Sequence, residues 1–240
     1  MIQLSQRLQA IADLVHTNCC VADIGTDHAY LPIYLVQSGR SNHVIAMDVN
    51  QGPLLTATNN ISSYNLQDCI ETRLSDGLKE LTLGEVNLVI IAGMGGALIQ
   101  RILERSFDIV EALDELILQP QSQVEEFRRF LYYNHLEVIT EDMVYEDGIY
   151  YPIMKVTPVS YNNYNRKLMD HSYSTLEYRY GKFLLEAKHP VLYQLLLQEL
   201  RMKQEIIEHL QSIHTDTSAR IHVIQEEIRI VQEGLQYYES

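Results

Sequence analysis

Hydrophobic positions in the first 135 residues switch repeatedly between two periods. Leu4, Leu8, Ile11, Ala12 and Val15 recur at helical spacing with Ser5, Gln6, Gln9 and Asp13 between them, which predicts an amphipathic helix over 3–16. The short apolar run Cys19–Ile24 predicts a strand that stops at Gly25. The same alternation predicts helices over 29–38, 53–64, 95–105 and 121–133, and strands over 42–48, 69–74, 86–92 and 114–119. Residues 86–92 are apolar at nearly every position, as a parallel strand covered on both faces must be. Strands alternating with helices of this length predict an α/β fold, a doubly wound parallel sheet of Rossmann-like type.

Beyond residue 135 the pattern changes. Two apolar runs, 136–139 and 150–156, flank Tyr145-Glu146-Asp147-Gly148, whose Asp-Gly predicts the turn of an antiparallel hairpin closing the sheet. Residues 159–173, rich in Tyr, Asn and Ser, read as a linker, and 174–238 as helical with a break at 215–218. Leu192, Leu195, Leu196, Met202, Ile206 and Leu210 on one side of the break, and Ile221, Ile224, Ile228, Val231 and Leu235 on the other, form narrow stripes. Two such helices are expected to fold back as an antiparallel hairpin of coiled-coil type. The organisation expected is a domain over 1–158 and a helical appendage over 159–240.

Charge narrows the partners. The net charge of −14 lies mostly in residues 1–158, with nine basic and 21 acidic side chains; residues 159–240 carry nine and 11. That balance argues against a protein gripping nucleic acid with its whole surface, while leaving room for a local basic patch. No apolar stretch reaches the length of about 18 residues that a membrane helix needs. The first residues lack the pattern of a signal peptide. Three cysteines, two of them adjacent, give neither a disulfide framework nor a metal-ligand spacing. A cytoplasmic protein without membrane partner or metal is expected, with a monomer the favoured form.

The candidate chemistry sits where strands end. Val21-Ala22-Asp23-Ile24-Gly25-Thr26-Asp27-His28-Ala29-Tyr30-Leu31 puts Asp-x-Gly at the end of the first strand, where open α/β sheets bind ligands. Gly25 allows close approach of a ligand, yet Asp27 and Ala29 stand where a dinucleotide fingerprint would have glycines. A pyrophosphate disfavours such carboxylates. S-adenosylmethionine (SAM) has no phosphate, and its ammonium suits an acidic loop, so Asp23 and Asp27 point to SAM rather than NAD. The same Asp-x-Gly also occurs as a plain strand-ending turn. Asp48, 25 residues after Asp23 at the end of the second strand, is placed to take ribose hydroxyls, or else to cap the next helix. Asp76-Gly77 follows the third strand and would face an adenine amino group, though Asp-Gly turns need no ligand. Ile90-Ile91-Ala92-Gly93-Met94-Gly95-Gly96-Ala97 places three glycines in four positions after the most hydrophobic strand, exposing backbone at the floor of a reaction cleft.

These segments, with Leu4-Ser5-Gln6-Arg7-Leu8, Asp27-His28-Ala29-Tyr30-Leu31-Pro32, Asp76-Gly77-Leu78, Leu116-Ile117-Leu118-Gln119-Pro120 and Glu146-Asp147-Gly148, resemble the bacterial tRNA (adenine(22)-N(1))-methyltransferase family along essentially the whole chain. The resemblance implies a class I SAM-dependent methyltransferase domain with a helical coiled-coil hairpin, acting on N1 of an adenine in the D-arm region of tRNA. Its cofactor contacts would come from Asp23, Gly25, Asp27, His28, Asp48, Asp76, Gly77, Gly93, Met94 and Gly95. Asp27 would stabilise the cation formed at N1, with helix capping or binding of the SAM ammonium as its alternatives. Arg7 would clamp a tRNA phosphate or the SAM carboxylate, unless it is a solvated helix residue, and Tyr30 and His28 would stack on a base, unless they pack at the helix start. Lys182, Lys188, Arg201, Lys203, Arg220 and Arg229 on the paired helices would touch phosphates, unless those helices lock the fold or dimerise. The competing functions are a methyltransferase for a small molecule or protein, which the acidic surface suits, and a non-catalytic Rossmann scaffold.

Overall fold

A computed structural model of the chain describes residues 1–159, 173–212 and 217–239. The chain divides into two compact units, Met1–His171 and Ser172–Ser240. In the first, β1 (Cys19–Ile24), β2 (Ser41–Asp48), β3 (Ile70–Leu74), β4 (Leu88–Met94) and β5 (Glu115–Pro120) pair in parallel. The hairpin strands β6 (Leu136–Glu146) and β7 (Ile149–Pro158) join antiparallel through β7, giving the order β3-β2-β1-β4-β5-β7-β6. Asp147 and Gly148 both have positive φ, 50° and 82°, as a two-residue type I′ hairpin turn requires. The expected α/β sheet is therefore present, with the five parallel strands and β7 within two residues of their expected places, while β6 runs seven residues beyond the expected 136–139.

Order steps outward from β1 to β3 and then returns to β4. Connections thus leave the sheet in opposite directions on either side of the β1–β4 gap, which opens a crevice at the carboxyl ends of those strands. Alternation along the strands divides the core. Val21, Val44, Ala46, Leu88 and Ile90 pack in one cluster with Ile11, Ala12 and Val15 of the first helical segment, Ile33 and Leu35 of the second, and Ala57 and Ile61 of the third. Those residues belong to or flank α1 (Gln6–Asp13), α2 (Tyr30–Gln37) and α3 (Gln51–Ser63). The intervening residues Ala22, Ile45, Met47, Val89 and Ile91 are as deeply buried, so both faces of the sheet are covered. The remaining helices of this unit are α4 (Gly96–Arg105), α5 (Phe107–Glu111) and α6 (Val124–Tyr133). The five-residue α5 is not anticipated by periodicity, being too short to show a repeat.

In the second unit, α7 (Thr175–Tyr180) starts with a capping box: Ser174 Oγ accepts from the Glu177 amide, and Glu177 accepts from the Ser174 amide. The expected continuous helix is interrupted before and after α8 (Lys182–Glu186), by Gly181 at φ +93° and by Pro190. Pro190 opens α9 (Pro190–Ser212), where its missing amide costs nothing. Residues 215 and 216 of the expected break, and 160–172 of the expected linker, lie outside the described residues. α10 (Ser218–Glu239) runs antiparallel to α9: the Tyr193 ring lies 4.8 Å from that of Tyr238, and Lys203 Nζ binds Glu227. A Cβ on Gly234 would stand only 3.2 Å from a Leu196 methyl, so the missing side chain lets the helices approach. Met202 and Ile206, part of the expected apolar stripe, are 52% and 43% exposed. A hairpin of two helices gives each stripe only one partner to cover it.

Candidate active site

The β1 turn is built around Gly25. Its φ of +81° is open to glycine and strained for other residues, and a Cβ there would lie 2.3 Å from Met94 Cε. The amides of Gly25 and Thr26 both donate to the Met47 carbonyl, at 2.8 and 2.9 Å, fixing the turn against β2. Asp23, just before it, is 7% exposed. Burial pushes its carboxyl up to about 6, against the pull of the Thr26 hydroxyl and the Arg7 cation; Asp48 adds a further push upward. The Thr26 Oγ1 is buried and makes no hydrogen bond of full geometry among the described residues.

Across the crevice, Gly93 has φ +77° and sits where β4 shifts register against β5. Its amide donates to Gln119 Oε1 at 3.0 Å, and Arg7 Nη1 donates to the same oxygen at 3.1 Å. Two donors meeting at one atom identify it as the oxygen, and Gln119 Nε2 donates to the Pro120 carbonyl at 3.2 Å. The Arg7 guanidinium also lies 5.5 Å from the centre of the Tyr151 ring. Gly95 is the N-cap of α4, and the Gly96 amide donates to the Ser122 carbonyl at 3.0 Å. A Cβ on Gly96 would stand 2.6 Å from that carbonyl oxygen, so the third glycine is imposed by backbone packing.

The remaining candidates form two further groups. Asp27 is exposed and pairs with His28, Nε2 to Oδ2 3.2 Å. The His28 ring stacks on the exposed Tyr30 with centroids 5.2 Å apart and planes within 18°, while Asn60 Nδ2 donates to the His28 carbonyl. Asp48 Oδ1 accepts from the Asn50 amide at 2.7 Å, so it both ends β2 and shapes the loop into α3. Asp76 is exposed and bound by Lys79 and by Arg105, the latter at 3.3 Å; the Lys79 contact holds its carboxyl below the usual range. An adenine amino group would have to share that carboxylate with two cations. A Cβ on Gly77, at φ +71°, would press on Ile102 at 2.9 Å.

Arg7, Gly25, Asp23, Met94 and Gly93 thus line the β1–β4 crevice, with Asp27, His28 and Tyr30 on the exposed loop after β1 and Asp76 in a separate charged cluster. Gln119, Thr26 and Tyr151 were not among the candidates. Gln119 had a signal: a lone amide ending the apolar run Leu116-Ile117-Leu118, fully buried in the fold. Tyr151 gave none, since a tyrosine in a strand is ordinary packing. Among the described residues no cluster of His, Cys, Asp or Glu could hold a metal ion, and no helix is long and apolar enough to cross a membrane.

A crevice with a buried carboxyl, two glycine turns and a half-buried arginine, on a sheet of this order, defines a methyltransferase domain; the family model described as "Methyltransferase domain" matches residues 4–154. The chain is also 34% identical over 209 residues to the tRNA (adenine(22)-N(1))-methyltransferase of Bacillus subtilis (strain 168), covering 87% of this chain and 86% of that protein. It belongs to the tRNA (adenine(22)-N(1))-methyltransferase family. Two solved structures are similar over nearly their full length. A Streptococcus pneumoniae protein in complex with S-adenosyl-L-methionine has TM-score 0.83 and 30% identity, covering 97% of this chain and 100% of that one. M. capricolum TrmK in complex with the cofactor product S-adenosylhomocysteine (SAH) has TM-score 0.80 and 28% identity, covering 98% and 99%.

Proposed function

We propose that this chain transfers a methyl group from SAM to N1 of adenine 22 in tRNA. The observation that carries the reading is the pairing of charges in the crevice. Asp23 is a buried carboxyl without a cation in salt-bridge range, and Arg7 is half-buried without a carboxylate in that range among the described residues. The two nevertheless act on each other electrostatically. An ammonium beside Asp23 and a carboxylate beside Arg7 would satisfy both, which fits the zwitterionic end of SAM. Gly25 and Gly93 add no side chain of their own to the crevice, where the Met94 methyl and the Arg7 guanidinium stand, and Asp48 stands ready for hydroxyls beyond β2.

When bound, SAM supplies a methyl group on a sulfonium for in-line displacement. The chain's own contribution is positioning and charge. Tyr30 and His28 offer a stacked, exposed pair on which an extruded adenine can rest. Asp27 lies beside them and faces the positive charge that forms on the ring when N1 is alkylated, and its carboxylate can receive the proton then acidified on N6. The helices of the second unit, Ser172–Ser240, then serve as an appendage, with the exposed Arg201 and Arg220 available to phosphates. A tRNA substrate suits a cytoplasmic protein, with a monomer the proposed form.

The experiment is direct. The chain is incubated with methyl-labelled SAM and unmodified tRNA, and the modified nucleoside is mapped. Label at N1 of adenine 22, lost when that adenine is replaced by guanine, is expected. Label at another nucleoside, or in no RNA, would overturn the reading.

A further inference from the structure

Arg7 differs from the other buried or partly buried arginines among the described residues. Arg40, Arg73, Arg128, Arg129 and Arg179 each lie within salt-bridge range of a carboxylate; Arg7 rests on an amide oxygen and an aromatic ring. We propose that Gln119, Tyr151 and Glu146 form a brace that holds Arg7 as an unneutralised cation, ready for the carboxylate of the cofactor's amino-acid end. The inference rests on the reading that Arg7 meets that carboxylate, and goes beyond it by assigning the residues that keep Arg7 free.

Each part of the brace does something different. Glu146, at the tip of the β6–β7 hairpin, accepts the Gln6 amide at 2.6 Å, so it caps the first turn of α1 one residue before Arg7. Nothing nearer in sequence does this for that amide, since the Ser5 hydroxyl is used by the Leu8 amide. The Tyr151 ring lies beside the guanidinium and confines it to the crevice side. Gln119 Oε1 takes one of its N–H groups and locks it to the Gly93 amide, tying the arginine to the glycine turn. Of five N–H donors, this leaves four without an acceptor among the described residues.

Neutral holders matter because Asp23 is close. A loose Arg7 would fall onto that carboxylate, and the two charges would satisfy each other and compete with a zwitterionic ligand. A carboxylate in place of the Gln119 amide would neutralise the cation as well. An amide and a ring restrain the arginine without spending its charge. The brace also gives the Glu146-Asp147-Gly148 turn a place in the site, although it lies outside the five parallel strands that form the crevice.

Calorimetry on the full chain with two probes tests the proposal: SAH, and 5′-methylthioadenosine, which keeps adenosine and sulfur but lacks the amino-acid end. Gln119→Glu keeps an acceptor oxygen for both donors and sets a negative charge against Arg7. The brace predicts that this variant loses about tenfold or more in affinity for SAH, while 5′-methylthioadenosine binds within about twofold of the parent. Tyr151→Leu predicts a smaller loss with the same selectivity, and decides the matter should Gln119→Glu fail to fold. SAH affinity unchanged in the folded variants, or both probes weakened equally, overturns the brace. Arg7→Met separates this from the underlying reading. If it spares SAH binding, Arg7 is not the carboxylate site; if it weakens SAH alone while the Gln119 and Tyr151 variants do not, only the brace has failed.

Discussion

Replacing Asp23 with Asn should stabilise the protein free of cofactor while abolishing its grip on the cofactor's ammonium. The side chain is 7% exposed, and burial raises its carboxyl from 3.8 to about 6. The folded state therefore holds this proton more tightly than the unfolded chain. Stability is unaffected by Asp23 well below pH 3.8, falls as pH rises through the window from 3.8 to about 6, and stays low above it. A shift of about two pH units at 1.36 kcal/mol each gives a cost of about 3 kcal/mol at pH 8, and about 1 kcal/mol at pH 4.5. Asp23→Asn removes that dependence, so the stability gap between variant and parent should widen by about 2 kcal/mol from pH 4.5 to pH 8. Urea unfolding of both proteins across that range, without cofactor, measures the gap; taking the difference cancels the other carboxylates. Saturating SAH should then reverse the order at pH 8, because it neutralises the parent's carboxylate and has no charged partner in the variant. A gap that stays constant with pH would refute the assignment of Asp23 as a buried, strained acid.

Three further outcomes follow from the same geometry. Gly96→Ala sets a methyl 2.6 Å from the Ser122 carbonyl oxygen, which cannot retreat without moving the β5–α6 loop; a loss of about 1–3 kcal/mol is expected in urea unfolding. Arg128→Leu removes the cation from a buried ion pair whose side chains are both 2% exposed and 2.8 Å apart, so it should cost about 3–5 kcal/mol, and the double change Arg128→Leu with Glu141→Leu should cost less than the single one. Asp27→Asn should leave SAH affinity within about twofold and lower the methylation rate by at least about tenfold; a variant with unchanged turnover would remove Asp27 from the chemistry.

What was legible in the chain and what was not divides along a physical line. Strands β1, β4 and β5 and the Val44–Met47 stretch of β2 announce themselves because both faces of a parallel sheet are covered there, so each reads as an apolar run, whereas the edge strand β3 is Ile70-Glu71-Thr72-Arg73-Leu74. The hairpin is legible from Asp147-Gly148 because only a few residues accept two successive positive φ values. Asp23, Gly25 and Gly93 could be picked out because charge and glycine are costly at strand ends unless something uses them. Helix α5 was hidden by its length, and the exposure of Met202 and Ile206 by the number of partners, which periodicity does not report.

The surroundings of Arg7 were illegible for a different reason. A position on α1, a strand end on β5 and a strand on β7 meet at one guanidinium, and the hairpin tip holds the backbone amide one residue before it, across as many as 144 residues of chain. No local pattern encodes such a meeting, since each partner is satisfied by an ordinary role in its own element: Gln119 as a strand end, Tyr151 as packing, Glu146 as a polar turn residue. Only the sheet order brings them together. Inserting β7 between β5 and β6 sets Leu118 opposite Met154, so the β7 residues that precede Met154 run past the carboxyl end of β5, and the hairpin tip reaches the first turn of α1. The hairpin that seems only to finish the sheet is then what sets the direction of the one partly buried arginine, among the described residues, left without a carboxylate. A change at its tip should therefore be felt at the cofactor's amino-acid end before it is felt in the stability of the fold.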